Sequence, residues 1–185
     1  MLGLGNSISN SSFIEASSSS SFDKTFSFDS NVEGWSRGDF AQNAVVSQQA
    51  SHTPSNDSEK TGILVIQREN NSNKTYIDLD LSSLSGYNSS SVLYYELVYS
   101  IPSANPSGIT YTGLDKVQNG SNGSSDDYTA VNPLTFNTWI TVNGDLDAGG
   151  VDDLLSISFD PFSFTFVSGA KIFIDRIRVS HTDFR

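Results

Sequence analysis

Apolar residues in this chain recur mainly at every second position, and no window of helical length repeats them at intervals of three and four. The stretch Lys171-Ile-Phe-Ile-Asp-Arg-Ile-Arg-Val-Ser180 shows the pattern well. Successive side chains of a strand point to opposite faces of its sheet. Strict alternation therefore puts Phe173, Asp175, Ile177 and Val179 on one face, and Ile172, Ile174, Arg176 and Arg178 on the other. On this reading Asp175 stands among apolar residues on the core face. A carboxylate there is costly unless it is hydrogen-bonded, ion-paired or bound to a metal.

The same period marks other strands. Leu93, Tyr95, Leu97, Tyr99 and Ile101 share one face of a strand over 92–101, with Tyr94, Glu96 and Val98 opposite. Ile77, Leu79 and Leu81 alternate with Tyr76, Asp78 and Asp80, a half-buried pattern over 74–81. Further strands are expected at 22–28, 40–48, 62–69, 109–117, 136–142, 153–159 and 162–166. Turn-rich segments at 29–35, 51–61, 70–73 and 143–150 separate them, and a long connection runs over 118–133. The pattern predicts an all-β fold: an antiparallel jelly-roll β-sandwich of about nine strands, with no helical crossover.

Composition agrees. Aromatics are plentiful, with 12 Phe and 7 Tyr among 185 residues, and Ser and Asn are abundant. The formal net charge of −11 argues against nucleic acid as a partner, because phosphate binding needs a basic stripe. There is no cysteine, which removes disulfides and thiol catalysis. No apolar run is long enough for a membrane-spanning helix, so no membrane insertion is expected. The first residues lack the basic and apolar regions of a secretory leader.

Residues 1–21 read as an N-terminal arm and linker, 22–180 as the sandwich and 181–185 as a short tail. The arm scatters Leu2, Leu4, Ile8, Phe13 and Ile14 among Gly, Asn and Ser, and ends in a serine run. A disordered tail is one reading of it. An attachment peptide that orders on a neighbour is the other, and it accounts for the apolar residues.

No catalytic constellation stands out. His52 lies in a polar loop and His181 in the tail, and neither is near a nucleophile motif. Twenty-one carboxylates are available, but no spacing selects a pair for glycoside hydrolysis. The chain is therefore read as a binding or structural protein, not an enzyme. Asp145, Asp147 and Gly150 match part of a Ca²⁺-loop pattern, but Gly149 and Ser156 replace two of its ligands, so a polar turn is the reading kept.

Two end motifs carry a resemblance. Phe26-Ser-Phe-Asp-Ser-Asn-Val-Glu-Gly-Trp35 resembles the opening of many carbohydrate-binding-module jelly rolls, and Ile172-Phe-Ile-Asp-Arg-Ile-Arg-Val179 resembles their closing strand. Thr75-Tyr-Ile-Asp-Leu79 and Phe136-Asn-Thr-Trp139 fall where such modules have further strands. The resemblance covers about 22–180 and implies a galactose-binding-like jelly roll, a fold with many roles. It also implies a structural Ca²⁺ shared by Asp29 and Asp175. Arg176, where the family often has a second Asp, departs from the pattern, and a protein partner for Asp175 is the alternative. Glycan binding would use an aromatic with polar neighbours, for which Tyr94 with Glu96, and Trp139, are the candidates. For Trp35 and Trp139 a place in the core is the reading preferred, since Trp is usually buried.

The arm and the Cys-free, Ser/Asn-rich β composition are similar to bacteriophage virion proteins such as capsid decoration or head-fibre subunits. That similarity implies a structural viral protein made in a host cytoplasm and carried on the virion. Its partners would be capsid or portal-proximal proteins, further copies of itself, and cell-surface glycans. The alternative is a stand-alone or appended carbohydrate-binding module of a polysaccharide-active system, acting outside the cell.

Overall fold

The computed structural model describes residues 21–38, 44–68, 75–102, 113–119, 128–130, 136–147, 153–161, 169 and 171–185. Among them are eleven strands: β1 (Asp23–Phe26), β2 (Ser36–Arg37), β3 (Ala44–His52), β4 (Lys60–Arg68), β5 (Thr75–Asp80), β6 (Leu93–Ser100), β7 (Gly113–Asn119), β8 (Tyr128–Ala130), β9 (Ile140–Leu146), β10 (Leu154–Pro161) and β11 (Lys171–Ser180). One turn of 3₁₀-helix, Leu81–Ser83, follows β5 and is capped by Asp80, whose carboxylate accepts from Ser82 N. The attachment-arm residues Leu2, Leu4, Ile8, Phe13 and Ile14, and the strand expected at 162–166, lie outside the described residues.

The strands form two antiparallel sheets. One runs β3-β4-β11-β6-β9, with β1 also paired to β11, and the other runs β2-β5-β10-β7-β8. β11 organises the first sheet. β6 lies along one side of it, and its other side is shared, β4 pairing with Lys171 to Ile174 and β1 with Ile177 to Ser180. The opening and closing motifs thus meet, Phe26 opposite Ile177. Two short strands, β2 and β8, were not expected; β8 interrupts the long connection read over 118–133 and takes in Tyr128.

The alternation over 92–101 holds: Leu93, Tyr95, Leu97, Tyr99 and Ile101 are all in the core between the sheets. Trp35 is there too, with its ring edge-on to Phe26 at 5.7 Å between centroids. Burying such a side chain contributes about 2–3 kcal/mol. The opening motif is shaped by Glu33, whose Oε1 accepts from Ser27 N (3.1 Å) and Phe28 N (2.7 Å). Phe28 and Glu33 both take left-handed backbone angles (φ 56 and 48), which the paired amides hold in place.

β11 breaks the strict alternation. Its pairing with β6 shifts register between Ile174 and Arg176, a bulge with Asp175 as the extra residue. One extra residue inverts the phase. Ile172 and Ile174 before the bulge and Ile177 and Val179 after it all enter the core between the sheets. Phe173 falls on the opposite face, in a small cluster with Ile63, Val65 and the half-buried Trp139. Asp175 is therefore not the core-face carboxylate that alternation placed among Phe173, Ile177 and Val179.

The tail at 181–185 is held against the body. His181 N donates to Phe22 O (2.9 Å), and its ring packs against both Phe22 and Tyr87, at 5.0 and 5.6 Å between centroids. His181 Nε2 accepts from Asn88 N (3.0 Å), so Nδ1 carries the proton and donates to Val92 O (2.9 Å).

Candidate functional site

The outer face of the six-stranded sheet carries Tyr94, Glu96 and Trp139, but it does not assemble them into one open site. Glu96 Oε1 accepts from Arg176 Nε (3.0 Å) and Nη2 (2.8 Å). The Arg185 guanidinium stands 5.0 Å from the Tyr94 ring centre and donates to Asp145 at 2.7 Å. Arg178 forms a two-point pair with Asp23 (3.0 and 2.7 Å) and covers the Phe184 ring at 4.2 Å. Hydrogen bonding from Arg178 holds the Asp23 carboxyl below its ordinary range. The tail and β11 thus occupy the face on which Tyr94 would meet a sugar ring. Asp145, the first residue of the partial Ca²⁺-loop match, is paired with Arg185 in β9; residues 148–150 lie outside the described residues.

Trp139 belongs to a second group at the other end of this face. Its backbone N–H donates to Asp57 Oδ2 (3.0 Å) and its indole N–H to Ser58 O (2.9 Å). His52 stacks on Phe173 at 3.6 Å and meets Trp139 edge-on at 5.7 Å. Lys60 Nζ stands 5.4 Å from the Trp139 ring centre. Trp35, by contrast, is 2% exposed and belongs to the core, as read from the sequence.

The ligands implied for a structural Ca²⁺ can be tested against this geometry. Asp175 Oδ2 lies 2.8 Å from Lys60 Nζ, so an ammonium already neutralises the carboxylate. Asp29 Oδ2 accepts from Ser27 Oγ at 2.8 Å. Among the described residues no three His, Asp or Glu side chains gather to hold a metal ion. The residues around Asp175 do not fit the ion, because Lys60 takes the place of the positive charge.

The outer face of the five-stranded sheet has another character. Ile77, Leu79, Leu155 and Ile157 face the core, so Asp78 and Ser156, which alternate with them, lie on the far side. Ser156 Oγ donates to Asp78 Oδ1 at 2.7 Å. Residues directly opposite one another in an antiparallel pair share a face. Register then gives one row of Ser36, Asp78, Ser156 and Gln118, and a second of Tyr76, Ser158, Lys116 and Tyr128. In register, then, tyrosines and residues with hydrogen-bonding groups take neighbouring positions on β5, β10, β7 and β8. Sequence reasoning missed them as a site. Tyr76, Asp78 and Asp80 were visible as the polar alternates of β5, but only the strand pairing brings Lys116, Gln118 and Tyr128 beside them.

Comparison with solved structures places this architecture. The xylan-binding CBM22-1 domain of Paenibacillus barcinonensis Xyn10C matches with a TM-score of 0.55 and 12% identity, over 85% of this chain and 92% of that one. The C-terminal family 22 carbohydrate-binding module of Clostridium thermocellum Xyn10B matches with a TM-score of 0.52 and 15% identity, again over 85% and 92%. The fold is a carbohydrate-binding-module-like jelly roll. An arabinose-bound GH51 α-L-arabinofuranosidase (MgGH51) matches with a TM-score of 0.56 and 14% identity over 80% of this chain, which spans only 23% of the enzyme. At these identities the likeness is one of fold. No family model and no curated protein matches the sequence.

Proposed function

We propose that the chain is a carbohydrate-binding domain that holds a polysaccharide on the outer face of its five-stranded sheet. The observation that carries this reading is the strand register that aligns Tyr76, Ser158, Lys116 and Tyr128 two positions along from the Asp78–Ser156 pair, on a fold that spans nearly the whole of two carbohydrate-binding modules. Sugar sites combine an aromatic platform with a few hydrogen-bonding groups, and the rows supply both kinds. One solved match binds xylan by its name, so a soluble xylan is the first ligand to try.

Binding without chemistry fits the histidines. His52 is stacked on Phe173, and both ring nitrogens of His181 are engaged by the backbone. Among the described residues neither ring makes a hydrogen bond to a hydroxyl group, as a general base would. The virion reading rests on the arm, and residues 1–20 lie outside the described residues. The sandwich supports the glycan reading in preference to it.

The test is affinity electrophoresis and calorimetry of the full chain against soluble xylan and a panel of other polysaccharides. Tyr76→Ala and Tyr128→Ala are expected to weaken binding about tenfold or more, as loss of a stacking aromatic does. Tyr94→Ala, on the opposite sheet, should leave it unchanged. Absence of binding across the panel overturns the proposal; binding that Tyr94→Ala or Trp139→Ala abolishes moves the site to the six-stranded sheet.

A further inference from the structure

A sheet edge offers a row of unpaired backbone donors and acceptors, and proteins usually blunt it with shortness, charge, proline or a bulge. Most edges here are blunted. β2 has two residues and β8 three. β1 has four, among them Asp23 and Lys24. β9 carries Gly144 and the charged Asp145, and Asp145 is bound by Arg185.

β3 has none of these devices. It runs nine residues, Ala44-Val-Val-Ser-Gln-Gln-Ala-Ser-His52, without Lys, Arg, Asp, Glu, Pro or Gly. Among the described residues it pairs only with β4. Val45 on this strand, 43% exposed, is the one exposed large hydrophobic side chain among the described residues. Charge points the same way. The chain carries 21 acidic residues and a net charge of −11, yet neither β3 nor β4 contains a carboxylate. A net charge of that size opposes association of copies in general, and β3 adds no like charge of its own to that repulsion.

We propose that β3 pairs antiparallel with β3 of a second copy of this chain, about a two-fold axis, and joins the two six-stranded sheets into one. A strand paired with itself antiparallel is self-complementary, which is what a two-fold interface requires. The occupant is a second copy and not an unrelated peptide, because the strand is uncharged on both partners and each brings the same edge, which has no further strand partner beyond β4 among the described residues.

The experiment is sedimentation velocity of the full chain over a range of concentrations. The wild type should sediment as a dimer. Ser47→Lys/Gln49→Lys and Ser47→Glu/Gln49→Glu change exposed positions on β3, so each should keep its circular dichroism and melting point. Like charges across the axis should weaken each homodimer by about tenfold or more, and mixing the two variants should restore the dimer. A wild type that is monomeric at every concentration overturns the proposal. So does an assembly that both variants retain, or a mixture that stays monomeric. Glycan binding is measured separately, so neither result decides the other.

Discussion

Lys60 Nζ lies 2.8 Å from Asp175 Oδ2, joining the start of β4 to the bulge of β11. The Asp175 side chain is only 13% exposed, and that ammonium is the positive charge set against it. Lys60→Met strands the carboxylate and should cost about 1–3 kcal/mol in urea unfolding. Lys60→Met/Asp175→Leu removes both charges and should recover part of the loss. Since Lys60 supplies the positive charge, EDTA should leave the melting temperature unchanged. A Lys60→Met protein as stable as the wild type, or a melting point lowered by EDTA, would show that something else neutralises Asp175.

The same residue shows where sequence reading stops. The 171–180 strand and the core face of β6 were legible, because period-two burial survives wherever the ladder is regular; the partnership with the opening motif followed only from the resemblance of the two ends to a jelly roll. A bulge leaves no composition signal when the added residue is polar. Counted strictly, Asp175 fell among core residues; shifted by one, it faces Lys60 and the phase of Ile172 and Ile174 reverses. The candidate site was less legible for a related reason. Tyr94 and Glu96 alternate as surface residues should, but their Arg185 and Arg176 partners come from distant positions. The rows on the five-stranded sheet exist only through β5-β10-β7 pairing, which no local pattern encodes.

Asp57 ties the loop after β3 to the turn before β9. It accepts from Trp139 N, Ser58 N and Thr138 Oγ1, at 3.0, 2.7 and 2.9 Å. The Trp139 and Ser58 amides, then the Thr138 hydroxyl, hold its carboxyl down at about 2, from an ordinary value of 3.8. A carboxylate depressed in the folded state stabilises fully above its unfolded value and loses that contribution as pH falls through the folded one. Asp57→Asn should therefore be less stable than wild type at neutral pH, with the gap closing between about pH 4 and pH 2. Acid unfolding followed by tryptophan fluorescence measures it. A gap that stays constant over that window would show that the Asp57 contacts do not persist in solution.

His52 should give a second pH dependence, at higher pH. Burial against Phe173 and Trp139 lowers its pKa from 6.5 by disfavouring the charged ring. The cation nearest the cluster, Lys60, already faces Asp175 and the Trp139 ring. A histidine whose folded pKa is lowered stabilises while neutral, so its contribution is complete above the unfolded value and erodes as pH falls below about 6.5. His52→Phe keeps the stack and should flatten the melting temperature between about pH 7 and pH 5. Titration of the His52 ring protons by NMR should show a midpoint below 6.5; a midpoint at or above it would mean that the ring is solvated.

Gly62 is the position where a single methyl group should cost most. Its backbone is left-handed (φ +68), and a Cβ there would overlap the Ser27 carbonyl oxygen and stand 2.7 Å from Asp29 Oδ1 and 3.1 Å from Asp29 Cα. Two of those atoms are backbone, so relief requires moving the segment that leaves β1, and that segment buries Phe26 and Phe28 in the core. Gly34 offers the control. It too is left-handed (φ +87), but a Cβ there would meet only Leu79 Cδ1, at 3.3 Å, the movable end of a side chain. Gly34→Ala should cost about 1 kcal/mol, the ordinary penalty for the conformation. Gly62→Ala should cost about 2–4 kcal/mol, because the close approach adds to that penalty. Urea unfolding of the two variants separates strain from crowding. Equal losses would mean that the chain after β1 does not lie against β4 as closely as the structure has it.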